Sequence, residues 1–312
     1  MLDVKRMKVF REVAALGSFS AAAESLSFTQ SAVSQQVAAL EREVGTTLLD
    51  RTPRGVRLTD SGRALVTHAD AILARLESAE DELAELAGVR GGRLRLASFQ
   101  SAGATLIPRA VAAFHSRHPK VELSMVEAEP DEAHTLLRGG DIDIALVYDY
   151  EALPGTLGED LEVEHLIDDV YDAVLPAGHP LAERESLTMT DLGSEPWVGP
   201  TGRSGCRVIV DRACQDAGYE ARIAFEADET MAAQALVASG VGLTIYPRLA
   251  LSPLHPGVVS RPLGPNAPVR RIWAARVRGG YRSPACDAML QILEDAAEEF
   301  RQDGGTELAI AG

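Results

Sequence analysis

A chain of 312 residues is too long for one ordinary core and predicts one small domain joined to one or two larger ones. Its composition, 46% hydrophobic and 24% charged, excludes a disordered protein. No apolar run approaches the roughly 20 residues that span a bilayer, and the charged opening MLDVKRMKVFREV has no apolar signal-peptide core, so a cytoplasmic protein with no membrane partner is expected.

The net charge of -16 argues against nucleic acid as a partner for the chain as a whole, because phosphates are held by Lys and Arg. The charge is unevenly spread. Residues 1–60 carry eight basic and seven acidic groups, a balance of +1 that leaves -17 on the remainder. Any DNA contact is therefore expected in that segment, held off a polyanionic body by a spacer.

In residues 3–16, Val4, Met7, Phe10, Val13 and Ala14 fall at helical spacing, closed by Gly17. A short Ala-rich helix, Ala21 to Leu26, follows with Ser20 as its expected N-cap. A third helix is expected from Gln30 to Val44. Val33, Val37, Leu40 and Val44 form its apolar stripe, and Gln30, Ser31, Ser34 and Gln35 an uncharged polar face. An ordinary helical hairpin has the same pattern. The next stretch favours a DNA-binding head: Arg51, Arg54 and Arg57 surround a Pro/Gly turn between short β-prone ends, which is the pattern of a basic wing.

From Asp60 the apolar positions Leu65, Ala69, Ile72, Leu76, Ala79, Leu83 and Leu86 alternate by four and three, a seam that asks for a partner helix or for its own domain. Glu77, Glu80, Asp81, Glu82 and Glu85 form a solvated face. Gly88, Gly91 and Gly92 mark a hinge. Beyond it strands and helices alternate: a strand Leu94 to Ser98, a helix Leu106 to Arg117, a strand Val121 to Val126, a helix Thr135 to Arg138 and a strand Ile142 to Val147. A second round starts near Tyr171 and includes Trp197-Val198-Gly199, a helix Ser204 to Gly218, a strand Arg222 to Phe225, a helix Thr230 to Ser239 and a strand Gly242 to Tyr246. A strand Arg271 to Ala275, a helix Ser283 to Phe300 and a frayed tail Gln302 to Gly312 complete it. This order predicts a parallel sheet in two α/β lobes, with a ligand at the carboxyl ends of strands.

The stretch from Phe19-Ser-Ala-Ala-Ala23-Glu24-Ser-Leu26 through Thr29-Gln30-Ser31-Ala32-Val33-Ser34-Gln35-Gln36-Val37, Leu40-Glu41, Gly45-Thr46-Thr47-Leu48-Leu49 and Asp50-Arg51 to Leu58-Thr59-Asp60-Ser61-Gly62 resembles the DNA-binding signature of LysR-type transcriptional regulators. The resemblance is close over about the first 65 residues. Beyond them it rests on architecture and on weaker patterns such as Gly139-Gly-Asp141-Ile-Asp143-Ile-Ala145. It implies a winged helix-turn-helix over 1–59 and a dimerisation helix over 60–88. An effector domain like the periplasmic binding proteins would fill 93–302, with lobe I at 93–165 and 268–302 and lobe II at 166–267.

The resemblance places base-reading side chains at Gln30, Ser31, Ser34 and Gln35, beside Thr29, and Gln and Ser suit base edges. Gln35 stands where members of the family often carry Arg. Arg54 matches a minor-groove residue, and Arg51 and Ser18 match phosphate contacts. The effector pocket is implied at Ser98, Gln100 and Ser101, at Tyr148, and at Thr201, Arg203 and Ser204, where a helix start offers amides and a cation to an anion. The implied partners are double-stranded DNA, a carboxylic or aromatic metabolite, and further copies of the chain as a homodimer or homotetramer.

An exported solute-binding protein or an enzyme on the same α/β scaffold are the alternatives. Against an enzyme, the sequence has no P-loop, G-x-S-x-G, H-E-x-x-H or strand-borne G-x-G-x-x-G, and no catalytic residue, metal or cofactor is expected. Cys206 and Cys214, eight residues apart on one expected helix, are about 12 Å from each other, too far for a disulfide. Pairing of either with Cys286 stays open.

Overall fold

The computed structural model describes residues 2–52, 55–86, 92–150, 157–202, 205–264 and 266–302. The head consists of α1 (Val4–Leu16), α2 (Phe19–Ser25), α3 (Gln30–Val44), and the antiparallel pair β1 (Leu49–Thr52) and β2 (Gly55–Leu58). Each helix starts on a side chain that satisfies free amides: Asp3 for α1, Ser18 for α2 and Thr29 for α3. The α2 cap is Ser18, where Ser20 was expected, because the helix begins early enough to seat Phe19 in the core with Ala22 and Ala23. Met7, Phe10, Val13, Val33, Val37 and Leu40 close that core.

Three signature residues hold the wing in place. The Glu41 carboxylate accepts from the Leu48 amide (2.8 Å) and the Leu49 amide (3.3 Å), which ties α3 to β1. The Thr59 hydroxyl donates to the Thr47 carbonyl (2.8 Å) and accepts from the Gly62 amide (3.0 Å). A Cβ on Gly62 would lie 2.1 Å from the Leu48 carbonyl oxygen, so only glycine lets the next helix approach the wing.

That helix, α4 (Asp60–Leu86), divides the expected seam. Leu65 and Ala69 are buried in the head's own core, whereas Ile72, Leu76 and Leu83 are exposed. The head takes the first two positions because α1 packs against α4 there, leaving Ile72, Leu76 and Leu83 on the surface of the later turns. Leu86 and the acidic face fall outside the described side chains, as do Gly88 and Gly91 of the hinge and the tail beyond Gln302.

The remaining elements are β3 (Arg93–Ser98), α5 (Gln100–Ala104), α6 (Leu106–Arg117), β4 (Glu122–Glu127), α7 (Pro130–Gly139), β5 (Ile144–Tyr150), β6 (Leu161–Pro176), β7 (Pro196–Gly199), α8 (Gly205–Asp216), β8 (Arg222–Glu226), α9 (Thr230–Ala238), β9 (Thr244–Pro247), β10 (Val258–Pro262), β11 (Val269–Val277) and α10 (Pro284–Gln302). The main sheet runs β10-β6-β11-β5-β3-β4 with β9 also on β6. It is mixed, not parallel as expected. β3 pairs in parallel with β4 and β5, but β11 runs antiparallel to β5 and β6, and β9 and β10 run antiparallel to β6. The cause is β6, one 16-residue strand that leaves lobe I and enters lobe II without a crossover helix. Its pairing changes from β11 to β9 and β10 between Val170 and Tyr171, later than the expected passage near residue 165. The chain returns to lobe I between β10 and β11. The helix read as Thr135 to Arg138 is longer because Pro130 starts it at a position where a missing N–H is harmless.

Lobe I packs Leu94, Phe99, Leu106, Phe114, Ile272 and Leu293 between sheet and helices, and lobe II packs Tyr171, Leu175, Trp197, Ile209 and Ile245. In calorimetry of the full chain, Gly62→Ala is expected to lower the head's unfolding transition by about 1–3 kcal/mol and leave that of the lobes unchanged. An unmoved head transition would contradict the role of Gly62.

Candidate DNA interface and effector cleft

On α3 the apolar side (Val33, Val37, Leu40) is buried, and Gln30, Ser31 and Gln35 are exposed with Ser34 half-buried between them. This is the expected uncharged polar face. Thr29 and Ser18 have structural tasks there: the Thr29 hydroxyl accepts from the Ala32 amide (3.2 Å) and lies 3.0 Å from the Ser31 hydroxyl, and Ser18 accepts from the Ala21 amide (3.3 Å). The Arg51 side chain and all of Arg54 lie outside the described residues, although the strands on either side of the wing's turn are in place.

A cation of the head reaches lobe I. Arg11 of α1 pairs with Asp70 of α4 (2.9 Å) and with Asp141 (2.5 Å) at the end of α7. A Cβ on Gly139 would lie 2.7 Å from the Arg11 guanidinium, so the absence of a side chain there admits it, and Gly140 takes the left-handed conformation (φ 69°) that turns the chain toward Asp141. Burial pushes the Asp70 carboxyl above its usual range, with Arg11 pulling it down and Asp141 pushing it up.

The other end of α7 meets Tyr148, which packs against the cores of both lobes. The Tyr148 hydroxyl donates to Glu129, the N-cap residue of α7 (2.7 Å). Tyr148 stands edge-on to Phe99 (centroids 4.8 Å apart), and the Arg270 guanidinium lies 4.8 Å from the Phe99 ring and 5.1 Å from the Tyr148 ring. Arg270 and Tyr150 face each other across β11 and β5. Arg270 donates to Asp169 (2.6 Å) and to the Ser101 hydroxyl (2.9 Å), and its Nε is buried without a hydrogen-bond partner. The Tyr150 and Tyr171 hydroxyls meet at 3.0 Å, and Tyr150 lies 3.8 Å from the Cys206 thiol at the start of α8. Burial pushes the phenols of Tyr148, Tyr150 and Tyr171 up, so all three stay protonated donors. Burial also disfavours charge on Asp169 and on Arg270. The Asp169 partner outweighs this for Arg270, which stays a cation, while Asp169 remains raised against the pull of Arg270.

Of the expected pocket residues, the structure brings Ser101 and Tyr148 together and leaves Gln100 exposed at the start of α5. Ser98 is fully buried and its hydroxyl donates to the Phe99 carbonyl (3.2 Å), so it does not line the cleft. Thr201 does not offer a free amide and hydroxyl to an anion, because both donate to Asp228 at 2.8 Å. Arg203 and Ser204 lie outside the described residues. The sequence reading missed Glu129, Tyr150, Asp169, Tyr171 and Arg270. One of these left a trace, since Tyr150 repeats Tyr148 at strand period. The Cys214 and Cys286 thiols are buried in separate lobes and pushed up to about 11 and about 12 by burial, which leaves Cys206 as the partly accessible one.

A helix-turn-helix head with a basic wing, joined by a long helix to two α/β lobes around a cleft, defines a DNA-binding transcription regulator. Comparison with known proteins makes this specific. The bacterial regulatory helix-turn-helix domain of the lysR family matches residues 4–63, and the LysR substrate binding domain matches residues 87–298. The chain belongs to the LysR family of transcriptional regulators. It is 33% identical over 304 residues to the "Probable HTH-type transcriptional regulator LrrA" of Synechococcus elongatus, covering 97% of this chain and 100% of that one. It is 30% identical over 302 residues to the RuBisCO operon transcriptional regulator of Allochromatium vinosum, covering 95% and 97%. In fold it is similar to a full-length OxyR variant from Pseudomonas aeruginosa (TM-score 0.72, 23% identity, 96% and 95% covered) and to full-length CbnR complexed with its target DNA (TM-score 0.55, 23% identity, 95% and 100% covered). Among the described residues no helix is long and apolar enough to cross a membrane.

The Arg270–Asp169 pair is almost fully buried, with side-chain exposures of 5% and 0%. Arg270→Met is expected to lower the stability of the lobes by about 3–5 kcal/mol by stranding a buried carboxylate. The double variant Arg270→Met/Asp169→Leu is expected to recover most of that loss in denaturant titrations. A double variant as unstable as the sum of the single ones would contradict this.

Proposed function

We propose that this chain is a cytoplasmic homodimer, or a dimer of dimers, that reads an interrupted palindrome and whose grip on it depends on a small molecule held between the lobes. Gln30, Ser31, Ser34 and Gln35 read base edges in the major groove, Arg54 enters the minor groove, and Arg51 contacts phosphate. Ser18 and Thr29 shape the helix starts that present those residues. Pairing of chains uses the exposed Ile72, Leu76 and Leu83 of α4. It also uses the sheet edges β4 and β8, which carry exposed Met125, Val126 and Phe225.

The observation that carries the regulatory part is the placement of α7. One 10-residue helix, about 15 Å long, is bonded through Glu129 to Tyr148 in the cleft and reaches Arg11 of the head through Gly139 and Asp141. Its middle is fastened as well: His134 and Arg138 pair with Asp160, which sits just before β6. A ligand that engages Tyr148 therefore acts on one end of a rigid rod whose other end bears on the head. Ligand in the cleft shifts the balance between head placements only to the extent that it binds one of them better, and the consequence is a changed spacing of paired heads and a changed bend in the DNA. The cleft residues suit an aromatic molecule with hydrogen-bond acceptors, since phenols, the Ser101 hydroxyl and the Arg270 guanidinium are donors on aromatic walls. A carboxylate fits the unpartnered Arg270 Nε.

Genome-wide capture of bound DNA with the wild type and with Ser34→Ala/Gln35→Ala tests the reading of the head. Enriched palindromic sites that the double variant loses, while its fold and dimer mass are unchanged, are expected. Equal enrichment by both proteins would remove those residues from base recognition.

A further inference from the structure

The structure contains a cavity of about 620 Å³, half-open to solvent, on the flank of lobe II, and none of Ser101, Tyr148, Asp169 and Arg270 lines it. That volume lies within the range of small-molecule sites, about 300–1,000 Å³. Its floor is one side of α8 and the residue after it, where Ile209, Ala213 and Ala217 recur at one-turn spacing, and its opposite wall is formed by Leu263, Gly264, Asn266 and Ala267. The hollow exists because these facing positions are small. Tyr150, the last residue of β5 in lobe I, closes the inner end, so the walls come from both lobes and from one of the two chain passages between them.

We propose that this cavity is a second ligand site, distinct from the cleft, for a planar aromatic molecule bearing one anionic group. The alanine-lined floor, Ile209 and Leu263 give an apolar slot that a flat ring system fills. At the mouth stand Arg212, Thr190 and Asn266. Arg212 is paired with Asp216 at 3.0 Å, but both side chains are more than half exposed, and an exposed pair of this kind holds its partners weakly. A carboxylate or sulfonate therefore draws the guanidinium away from Asp216 at little loss and gains a bidentate contact. The Thr190 hydroxyl and the Asn266 amide add donors beside it.

Position gives the site a regulatory consequence, which rests on the reading of the cleft above, whereas the binding itself does not. Tyr150 belongs to both sites: its ring closes the cavity, and its hydroxyl meets Tyr171 and lies 3.8 Å from the Cys206 thiol in the cleft. An occupant braced between α8 and the opposite wall fixes the angle between the lobes, and it favours or opposes a cleft ligand according to the angle that ligand needs.

The test uses the full-length protein and 1-anilinonaphthalene-8-sulfonate, a planar aromatic sulfonate that fluoresces on entering an apolar site. A saturable phase of one probe per chain is expected. Arg212→Ala, a surface change that leaves the core untouched, and Ala213→Trp, which fills the slot, are each expected to weaken it tenfold or more. Tyr148→Phe in the cleft is expected to leave it unchanged. No saturable phase in the wild type, or a phase that Tyr148→Phe abolishes and both cavity variants preserve, would overturn the site. If the probe binds as expected but the affinity for a captured DNA site is the same with and without it, the site stands and its coupling to the lobes is overturned.

Discussion

The contact on which the arrangement of head and body depends is the guanidinium of Arg11, held between Asp70 of the linker helix and Asp141 of lobe I. An acidic body repels DNA, so a head that binds DNA has to be carried at a fixed distance and still be held to that body. Arg11 does this with a positive charge from the head. Two carboxylates, one on α4 and one at the end of α7, share it through different guanidinium nitrogens in a partly desolvated junction, and burial holds Asp70 above its usual range. Such a junction is easily rebalanced. On the function proposed above, a displacement of α7 carries Asp141 against Arg11 and so acts on the head.

In that proposal the cleft is the origin of the movement of α7. Its lining is aromatic and rich in donors, and its one buried cation is already matched by Asp169, so the empty cleft has no large uncompensated charge from this pair. What remains unmet is the Arg270 Nε, a donor without an acceptor in a buried position. Leaving such a group unpaired is costly, and a ligand with an acceptor at that point relieves it. Tyr148 borders the Arg270 guanidinium by its ring and Glu129 by its hydroxyl, which is the basis of the relay proposed above.

Most of the head was legible in the sequence, because its helices are short, capped by Ser, Thr and Gly, and amphipathic at helical period. Gln30 to Val44 came out as read, and the polar face of α3 with it. The exception, Ser20 for Ser18, arose because either serine can cap, and only the burial of Phe19 decides between them. In the body the local elements were mostly readable and their pairing was not. The strands β6 and β11 carry Asp, Glu, His and Arg among their apolar residues, so neither shows a clean pattern that gives its direction, and the first half of β6 was not read as a strand at all. The seam on α4 was read as one feature, yet the head claims Leu65 and Ala69, a division set by contacts with α1 that lie far away in sequence. For the same reason the cleft was only half seen. Ser101 and Tyr148 sit near strand ends, where sites are looked for, but Asp169 and Arg270 lie within strands and meet only because β6 and β11 pair. Gly139-Gly140-Asp141 was legible as a motif and silent as to purpose until Arg11 was found against it.

The most direct measurement of the central claim is a double-mutant cycle on DNA affinity, read by fluorescence anisotropy on a captured site, with Tyr148→Phe at the cleft end of α7 and Asp141→Asn at the head end. Tyr148→Phe is predicted to shift the Kd several-fold in the wild-type background and hardly at all once Asp141 is replaced, a coupling of about 1–2 kcal/mol between residues that do not touch. Effects that add within about 0.3 kcal/mol would contradict the account, because the two ends of the helix would then act on DNA binding independently.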